Sequence, residues 1–330
     1  MRAAEVKAFG GPEVLVTVEV PDPVAGPGEV VVDVAAADVM FLDTRLRSGW
    51  GLDFFPVQPP YIPGGAVAGV VSAVGAGVDP AWVGKRVATT TAASGIGSGL
   101  PIGGYAQRAP AQADGLAELP EGLDFVHAAA LVHDGRTALA VAERAELRAG
   151  QRVLITAASG GLGTLLIQLA RAAGAQVIAA ARGEAKLALA RRLGAAVVDY
   201  DEPGWADLVL ELAGGEGVDV VLDGAGGRIG QDGLGAVASG GRFIAYGNAA
   251  GGFAELDAES AAAQGLTVIT LMDLTTDETD WGEFGRQALL RAAAGDLEVV
   301  VGQTFPLDRA ADAHAAIEAR TAVGRTILTM

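Results

Sequence analysis

Two adjacent glycines and a third close behind them, Gly160, Gly161 and Gly163, follow an apolar β-branched run and open an Ala/Leu-rich stretch in QRVLITAASGGLGTLLIQLARAA, residues 151–173. In a strand, turn, helix context such glycines do chemistry through the backbone. Gly160 lets the main chain approach a pyrophosphate, Gly163 lets helix and strand pack closely, and the helix start offers unpaired N–H groups to the anion. A second β run at Gln176 completes the unit within about 30 residues, as a dinucleotide-binding loop requires. At the end of that second run a carboxylate would accept from the ribose hydroxyls of NAD. The sequence there is VIAAARGEAK, with Ala181 and Arg182 in the region and Lys186 one helical turn on. Cations without a carboxylate suit the 2′-phosphate of NADP(H).

Other chemistry is narrowed by what the chain lacks. It has no cysteine, hence no disulfide, no thiolate nucleophile and no Cys-bearing zinc site. His127, His133 and His314 are the three histidines, too scattered to suggest a metal centre, so none is expected. His127 and His314 read as helix residues without visible partners.

The elements that must position the loop read in two grammars. Up to about residue 121, short β runs at 14–20, 29–35, 69–74 and 86–91 are punctuated by Gly and Pro, the pattern of a small, mostly β domain. From about 123 to 270, β runs at 152–156, 176–180, 196–198, 218–222, 242–245 and 266–270 alternate with helical stretches at 161–173, 184–193, 205–213 and 229–237. That alternation means βαβ units and a parallel sheet, and six strands is the count of a Rossmann sheet. The remainder reads as a helix at 281–294, a strand at 299–301, a helix at 310–320 and a strand at 325–329. The expected division is 1–122, 123–268 and 269–330.

Length fits two domains, since 330 residues at 51% hydrophobic composition can build real cores. With 23 basic and 40 acidic residues the net charge is −17, which repels nucleic-acid phosphates and anionic lipid. The start, MRAAEVKAFGGPEVL, is no signal peptide. No run reaches the roughly 20 apolar residues of a membrane span, so a cytoplasmic protein is expected.

Beyond the glycine loop, many segments match one family in order and spacing. They include GGPEVL at 10–15, GPGEV at 26–30, DTRLRSG at 43–49, PYIPG at 60–64, AGVVSAVGAGV at 68–78 and VGKRV at 83–87. GGYAQ at 103–107, VVDY at 197–200, DVVLDGAGG at 219–227 and GRFIAYG at 241–247 continue the match. Over nearly its whole length the chain resembles the zinc-independent quinone oxidoreductases of the medium-chain dehydrogenase/reductase superfamily. The resemblance implies an α/β architecture in which a doubly wound Rossmann domain is inserted into a GroES-like, mostly β catalytic domain made from the two chain ends. It further implies NADPH as cofactor, hydride transfer to a quinone or an α,β-unsaturated carbonyl, and a homodimer.

Carried over residue by residue, the resemblance puts Ser159, Gly160, Gly161, Leu162 and Gly163 around the pyrophosphate, and Lys186, Tyr200 and Arg320 beside Arg182 around the 2′-phosphate. Thr137 would lie beside the nicotinamide, with Gly224, Ala225, Gly226, Tyr246, Gly247 and Asn248 lining the reactive end. Departures alter the first-domain wall. Met40 stands where the family has an Asn near the nicotinamide, Arg45 replaces a tyrosine, and Pro63, Gly64, Gly65 and Ala66 replace the Gly-His-Glu run of zinc-dependent relatives.

Hydride transfer to a quinone needs proximity, orientation and a dry pocket more than an acid. An enone also needs a proton, for which Tyr61, His133 and, less simply, Asp38 or water are the candidates. Asp43 and Arg47, four apart, fit an i,i+4 ion pair on a short helix. Trp50, Phe54 and Phe55 in a Gly/Pro-rich loop suit a lid on which a flat quinone would stack, and residues 273–280 read as a solvated acidic loop. Two alternatives stay open: an enoyl-thioester or polyketide-intermediate reductase, with Arg45 and Arg47 gripping the substrate, and a non-catalytic NADPH-binding protein.

Overall fold

The computed structural model describes residues 1–53, 55–91, 102–276 and 279–330. Phe54 lies outside them, as do 277 and 278 of the acidic loop. The chain divides into two compact units, Met1–His133 with Gly285–Met330, and Asp134–Phe284.

The first unit opens with β1 (Arg2–Val6) and β2 (Leu15–Glu19), an antiparallel pair, followed by β3 (Glu29–Val39) and the short helix α1 (Phe41–Arg47). Strands β4 (Ala66–Val74), β5 (Arg86–Thr90), β6 (Arg108–Gln112) and β7 (Ala117–Glu118) follow. The long strand β3 is the spine: valine and alanine fill it, and almost every residue is buried, as in a strand flanked on both edges and covered on both faces. It pairs antiparallel with β4 and β6.

Helix α2 (Phe125–Ala145) is started by Asp124, whose carboxylate accepts from the backbone N–H of His127 at 2.9 Å and meets its ring Nδ1 at 2.7 Å. His127 therefore has a partner that its sequence neighbours did not announce. The expected break at 122/123 falls before this helix and the compact division inside it. The second division, at 284/285, likewise falls inside a helix (α9, below).

The second unit is built by β8 (Arg152–Ile155), α3 (Gly161–Ala172), β9 (Gln176–Ala181), α4 (Glu184–Arg192), β10 (Ala196–Asp199), α5 (Trp205–Leu212), β11 (Val218–Asp223), α6 (Gly227–Gly235) and β12 (Val237–Ala245). Helix α7 (Ala258–Ala263), β13 (Thr267–Thr270) and α8 (Leu271–Leu274) complete it, before α9 (Trp281–Ala294) leads out. All six strands pair in parallel, in the order β10-β9-β8-β11-β12-β13. This is the doubly wound Rossmann order, with a topological switch point between β8 and β11. Val153, Leu154, Ile155, Val220, Val221 and Leu222 in the two central strands are fully buried, which is why these strands read as continuous apolar runs instead of alternating ones.

The chain then returns to the first unit through β14 (Val301–Pro306), α10 (Ala310–Glu318) and β15 (Arg325–Thr329). The seven-stranded sheet runs β14-β15-β3-β4-β5-β7, with β6 on β3. Here β14 starts where the strand expected at 299–301 ends. The apolar LEVVV run suggests an earlier start, but pairing with β15 begins at Val301 and continues through alternating half-buried and exposed residues. Strands β1 and β6 were not evident in the sequence, whereas the short helix suggested by the Asp43 and Arg47 spacing is α1. Strand β6 contains Pro110, which breaks a strand pattern. Among the described residues no helix is long and apolar enough to cross a membrane.

Candidate active site

In the second unit the glycine loop joins β8 to α3, at the carboxyl edge of the sheet beside the switch point. Gly160 is the N-cap of α3 in extended conformation, with no side-chain cap, so the first N–H groups of a twelve-residue helix stay available to an external anion. Ala157 takes a left-handed φ of 49° to make the turn, and the Ala158 N–H donates to Ala180 O at 3.2 Å, fastening the loop to the end of β9. A Cβ on Gly163 would lie 2.7 Å from Ala157 O, so only glycine lets helix and turn approach this closely. Around Gly160 the nearest atom to such a Cβ is 3.5 Å away, which leaves room for a bound group. Ser159 and Gly161 are buried and Leu162 is half-buried.

At the other side of the switch point, Asp223 ends β11 with a buried carboxylate. Its Oδ1 accepts from Thr156 Oγ1 at 2.5 Å and from the N–H groups of Ala225 and Gly226 at 3.1 Å. Thr156 Oγ1 in turn accepts from Gly224 N and Ala225 N at 3.1 Å. Burial raises the Asp223 pKa, opposed by these hydrogen bonds. The result is a rigid loop, Gly224, Ala225 and Gly226, pinned between two strand ends. A Cβ on Gly224 would meet Tyr246 Oη at 2.7 Å, and one on Gly247 would meet Gly224 O at 2.5 Å. Tyr246 is buried, with no hydrogen-bond partner for its hydroxyl among the described residues, and burial, then Asp223 and Asp134, raise its pKa. Asn248 follows, half-buried, and Thr137 lies half-buried on α2.

The end of β9 differs from its sequence reading. No carboxylate follows in β9 itself, but the parallel neighbour β10 and the turn after it supply two, Asp199 and Asp201. Asp199 is in register with Ala181. Its Oδ2 accepts from Gly183 N at 2.8 Å and its Oδ1 from Asp201 N at 3.0 Å. Asp201 Oδ2 then lies 2.6 Å from Arg182 Nε. Arg182 sits 6.0 Å from the centre of the Tyr200 ring, which packs edge-on against Trp205 at 6.4 Å. Lys186 is half-buried one turn into α4. The cations were legible, whereas the acids belong to a strand distant in sequence and come into place only through sheet pairing.

The residues expected from the first unit have different surroundings. Tyr61 is backbone-paired with Val6 and packs in the main core of this unit. Burial and the neighbouring Asp43 raise its pKa, and its enclosed hydroxyl has no partner among the described residues. His133 Nε2 lies 3.3 Å from Gly65 O. Asp38 is fully buried and doubly gripped by Arg325, whose Nε donates to Oδ1 at 2.9 Å and whose Nη2 donates to Oδ2.

The i,i+4 pair of Asp43 and Arg47 does not form. Arg47 donates to Glu318 in α10, and Asp43 Oδ2 accepts from Met40 N at 2.9 Å and Tyr105 Oη at 3.0 Å. Burial wins over local pairing because both side chains point into the core, where longer-range partners wait. His314, also expected to stand alone, meets Tyr105 Oη through Nε2 at 3.2 Å. With Arg47 1% exposed, it cannot grip a substrate. Arg45 is half-buried and stacks over Trp50 at 4.9 Å. Phe55 packs against the core of this unit instead of standing out as a lid. Asp273, placed in an acidic loop, caps α8 by accepting from Thr270 N at 2.8 Å. Arg320, just after α10, is exposed with a φ of 57°.

A glycine turn feeding a helix at the switch point of a 3-2-1-4-5-6 sheet defines a dinucleotide-binding Rossmann fold. Comparison with known proteins gives the family. Residues 26–121 match the alcohol dehydrogenase GroES-like domain and residues 161–285 match the zinc-binding dehydrogenase family. The chain is 34% identical to a 2-haloacrylate reductase of Burkholderia sp. over 99% of its length and 98% of the relative's. It is 33% identical to a quinone oxidoreductase of Pseudomonas aeruginosa, over 97% of each. The crystal structure of Escherichia coli quinone oxidoreductase complexed with NADPH superposes with a TM-score of 0.89 at 29% identity, covering 100% of both chains. The chain belongs to the quinone oxidoreductase family of the medium-chain dehydrogenases/reductases.

Proposed function

We propose that this protein is an NADPH-dependent oxidoreductase that transfers a hydride to a quinone or an α,β-unsaturated carbonyl, without a metal. The observation that carries the reading is the β8–α3 turn, where Gly163 is sealed against Ala157 O while Gly160 leaves space and helix N–H groups for a pyrophosphate. Arg182 beside Tyr200, with Lys186 in the first turn of α4, supports a 2′-phosphate at the ribose end, and the Thr156–Asp223 network that pins Gly224, Ala225 and Gly226 supports a fixed reactive end. Met40 and Arg320 enter this reading through the resemblance alone. When bound, NADPH supplies the hydride, and the substrate takes up one proton in addition.

The chain's own part is to hold and orient. Loop N–H groups fix the pyrophosphate, and the pinned glycine loop fixes where the nicotinamide lies. Among the described residues, the three first-unit candidates for proton donor are otherwise engaged. Asp38 is committed to Arg325, Tyr61 is enclosed in the core with its proton held by burial, and His133 is engaged with Gly65 O. Water is the proton source in this account. Catalytic zinc does not fit the residues present: there is no cysteine, and no group of three His, Asp or Glu side chains able to hold a metal occurs among the described residues. Relatives named for quinone and for 2-haloacrylate reduction support an electron-poor conjugated acceptor, and the same reading includes a homodimer.

Titration of nicotinamide fluorescence tests the cofactor assignment. Lys186→Ala and Arg320→Ala should each weaken NADPH binding far more than NADH binding. Equal losses for the two cofactors would refute a 2′-phosphate role for these residues.

A further inference from the structure

The ribose end of the dinucleotide site is more acidic than NADP(H) recognition calls for. Arg182, the first residue past β9, has a side chain 41% exposed, and the carboxylate 2.6 Å from its Nε belongs to Asp201, 48% exposed. The contact is a charge pair and not an aligned hydrogen bond, since Arg182 Nε has no hydrogen-bond partner among the described residues. The position of Asp201 is built. Tyr200 N donates to Ala181 O at 3.2 Å, and Asp201 N to Asp199 Oδ1 at 3.0 Å. These bonds fold the chain after β10 back over the end of β9. Asp199 is itself fastened to Gly183 N, so the cation and the acid are delivered by two adjacent strand ends locked in register.

Recognition of a 2′-phosphate rests on cationic side chains at this point, and recognition of a 2′-hydroxyl rests on a carboxylate that accepts from it. Both chemistries are present here in one contact. A phosphate arriving at Arg182 meets the like charge of Asp201 and competes with it for the guanidinium, whereas a ribose diol meets an acceptor. We propose that Asp201 sets the cofactor preference of this protein, restraining selectivity for the 2′-phosphorylated dinucleotide and admitting the unphosphorylated one as a second cofactor. The proposal rests on the dinucleotide reading above and concerns how sharply that site discriminates.

The test is a set of dissociation constants for NADPH and NADH, measured by fluorescence titration on the wild-type protein, Asp201→Asn, Asp201→Ser, Arg182→Gln and the double variant Asp201→Asn with Arg182→Gln. Both positions are half-exposed, so charge effects are screened and modest. With a like charge removed from the phosphate locus, the NADPH-over-NADH preference should rise about three- to tenfold in either Asp201 variant. In the Arg182→Gln background the same Asp201→Asn change should still raise the preference, because the like charge facing the phosphate remains when only the competition for the guanidinium is gone. An unchanged preference in the Asp201 variants, with wild-type protein still binding NADPH, would overturn the role of Asp201 and leave the cofactor reading standing. Failure of the wild-type protein to bind either dinucleotide would overturn both.

Discussion

A side chain on Gly163 would place its Cβ 2.7 Å from the carbonyl oxygen of Ala157, so the first turn of α3 rests directly on the backbone of the loop it follows. Gly163→Val should force the turn from the helix, cost about 1–3 kcal/mol of stability through overpacking, and weaken NADPH binding by about tenfold or more, the equivalent of roughly 1.4 kcal/mol. Urea unfolding and cofactor titration on the same sample would check both. Unaltered affinity would show that the loop geometry is not what binds the dinucleotide.

Thr156 stitches β8 to the loop after β11, donating to Asp223 and accepting from Gly224 and Ala225. Thr156→Val keeps the shape but leaves buried polar groups without that partner, a cost of about 1–3 kcal/mol. Because the loop lines the reactive end in the proposed function, kcat should fall more than thermal stability alone would explain. Thr156→Ser should restore it, as measured by steady-state kinetics at a temperature where all variants are folded.

Arg325 and Asp38 join the last strand to β3 in the core of the first unit. Arg325→Met should strand a fully buried carboxylate and destabilise the protein by about 3–5 kcal/mol. Replacing Asp38 and Arg325 together with apolar residues should recover most of that loss. Chemical denaturation of the single and double variants checks the expectation.

Two groups that share the Tyr105 hydroxyl respond oppositely to pH. Burial raises the Asp43 carboxyl to about 7, and burial aided by Arg47 lowers the His314 imidazole to about 3. Folded Asp43 retains a proton that the unfolded chain releases, so its contribution to stability falls as pH rises from about 4 to about 7. Folded His314 refuses a proton that the unfolded chain accepts, so its contribution falls as pH drops from about 6.5 toward 3. In the wild-type protein the two slopes offset one another across roughly pH 4–6.5. Asp43→Asn should expose the His314 slope as a loss of stability on acidification, and His314→Gln should expose the Asp43 slope as a loss on alkalinisation toward pH 7. Urea midpoints at half-unit pH steps read both.

The Rossmann half was legible because its strands are buried on both faces and its turns are glycine-marked. Helix α9 begins at Trp281 and β15 at Arg325, as the sequence indicates. The phosphate loop is contiguous and could be read as one motif. What escaped was assembled from afar. Asp199 reaches Gly183, and Asp201 reaches Arg182, only because β10 pairs with β9. Asp43, Tyr105 and His314 meet from three separate stretches of chain. Local spacing suggested an Asp43–Arg47 pair, and the core gave Arg47 to Glu318 instead.

The most direct measurement is NADPH oxidation by the purified protein, followed by absorbance, with an electron-poor quinone and a simple cyclic enone run side by side and a metal chelator present in a parallel set. Turnover of at least one acceptor is expected, faster with NADPH than with NADH and unaffected by the chelator. Tight NADPH binding with no oxidation by either acceptor, or activity abolished by the chelator and restored by zinc, would contradict the proposed function.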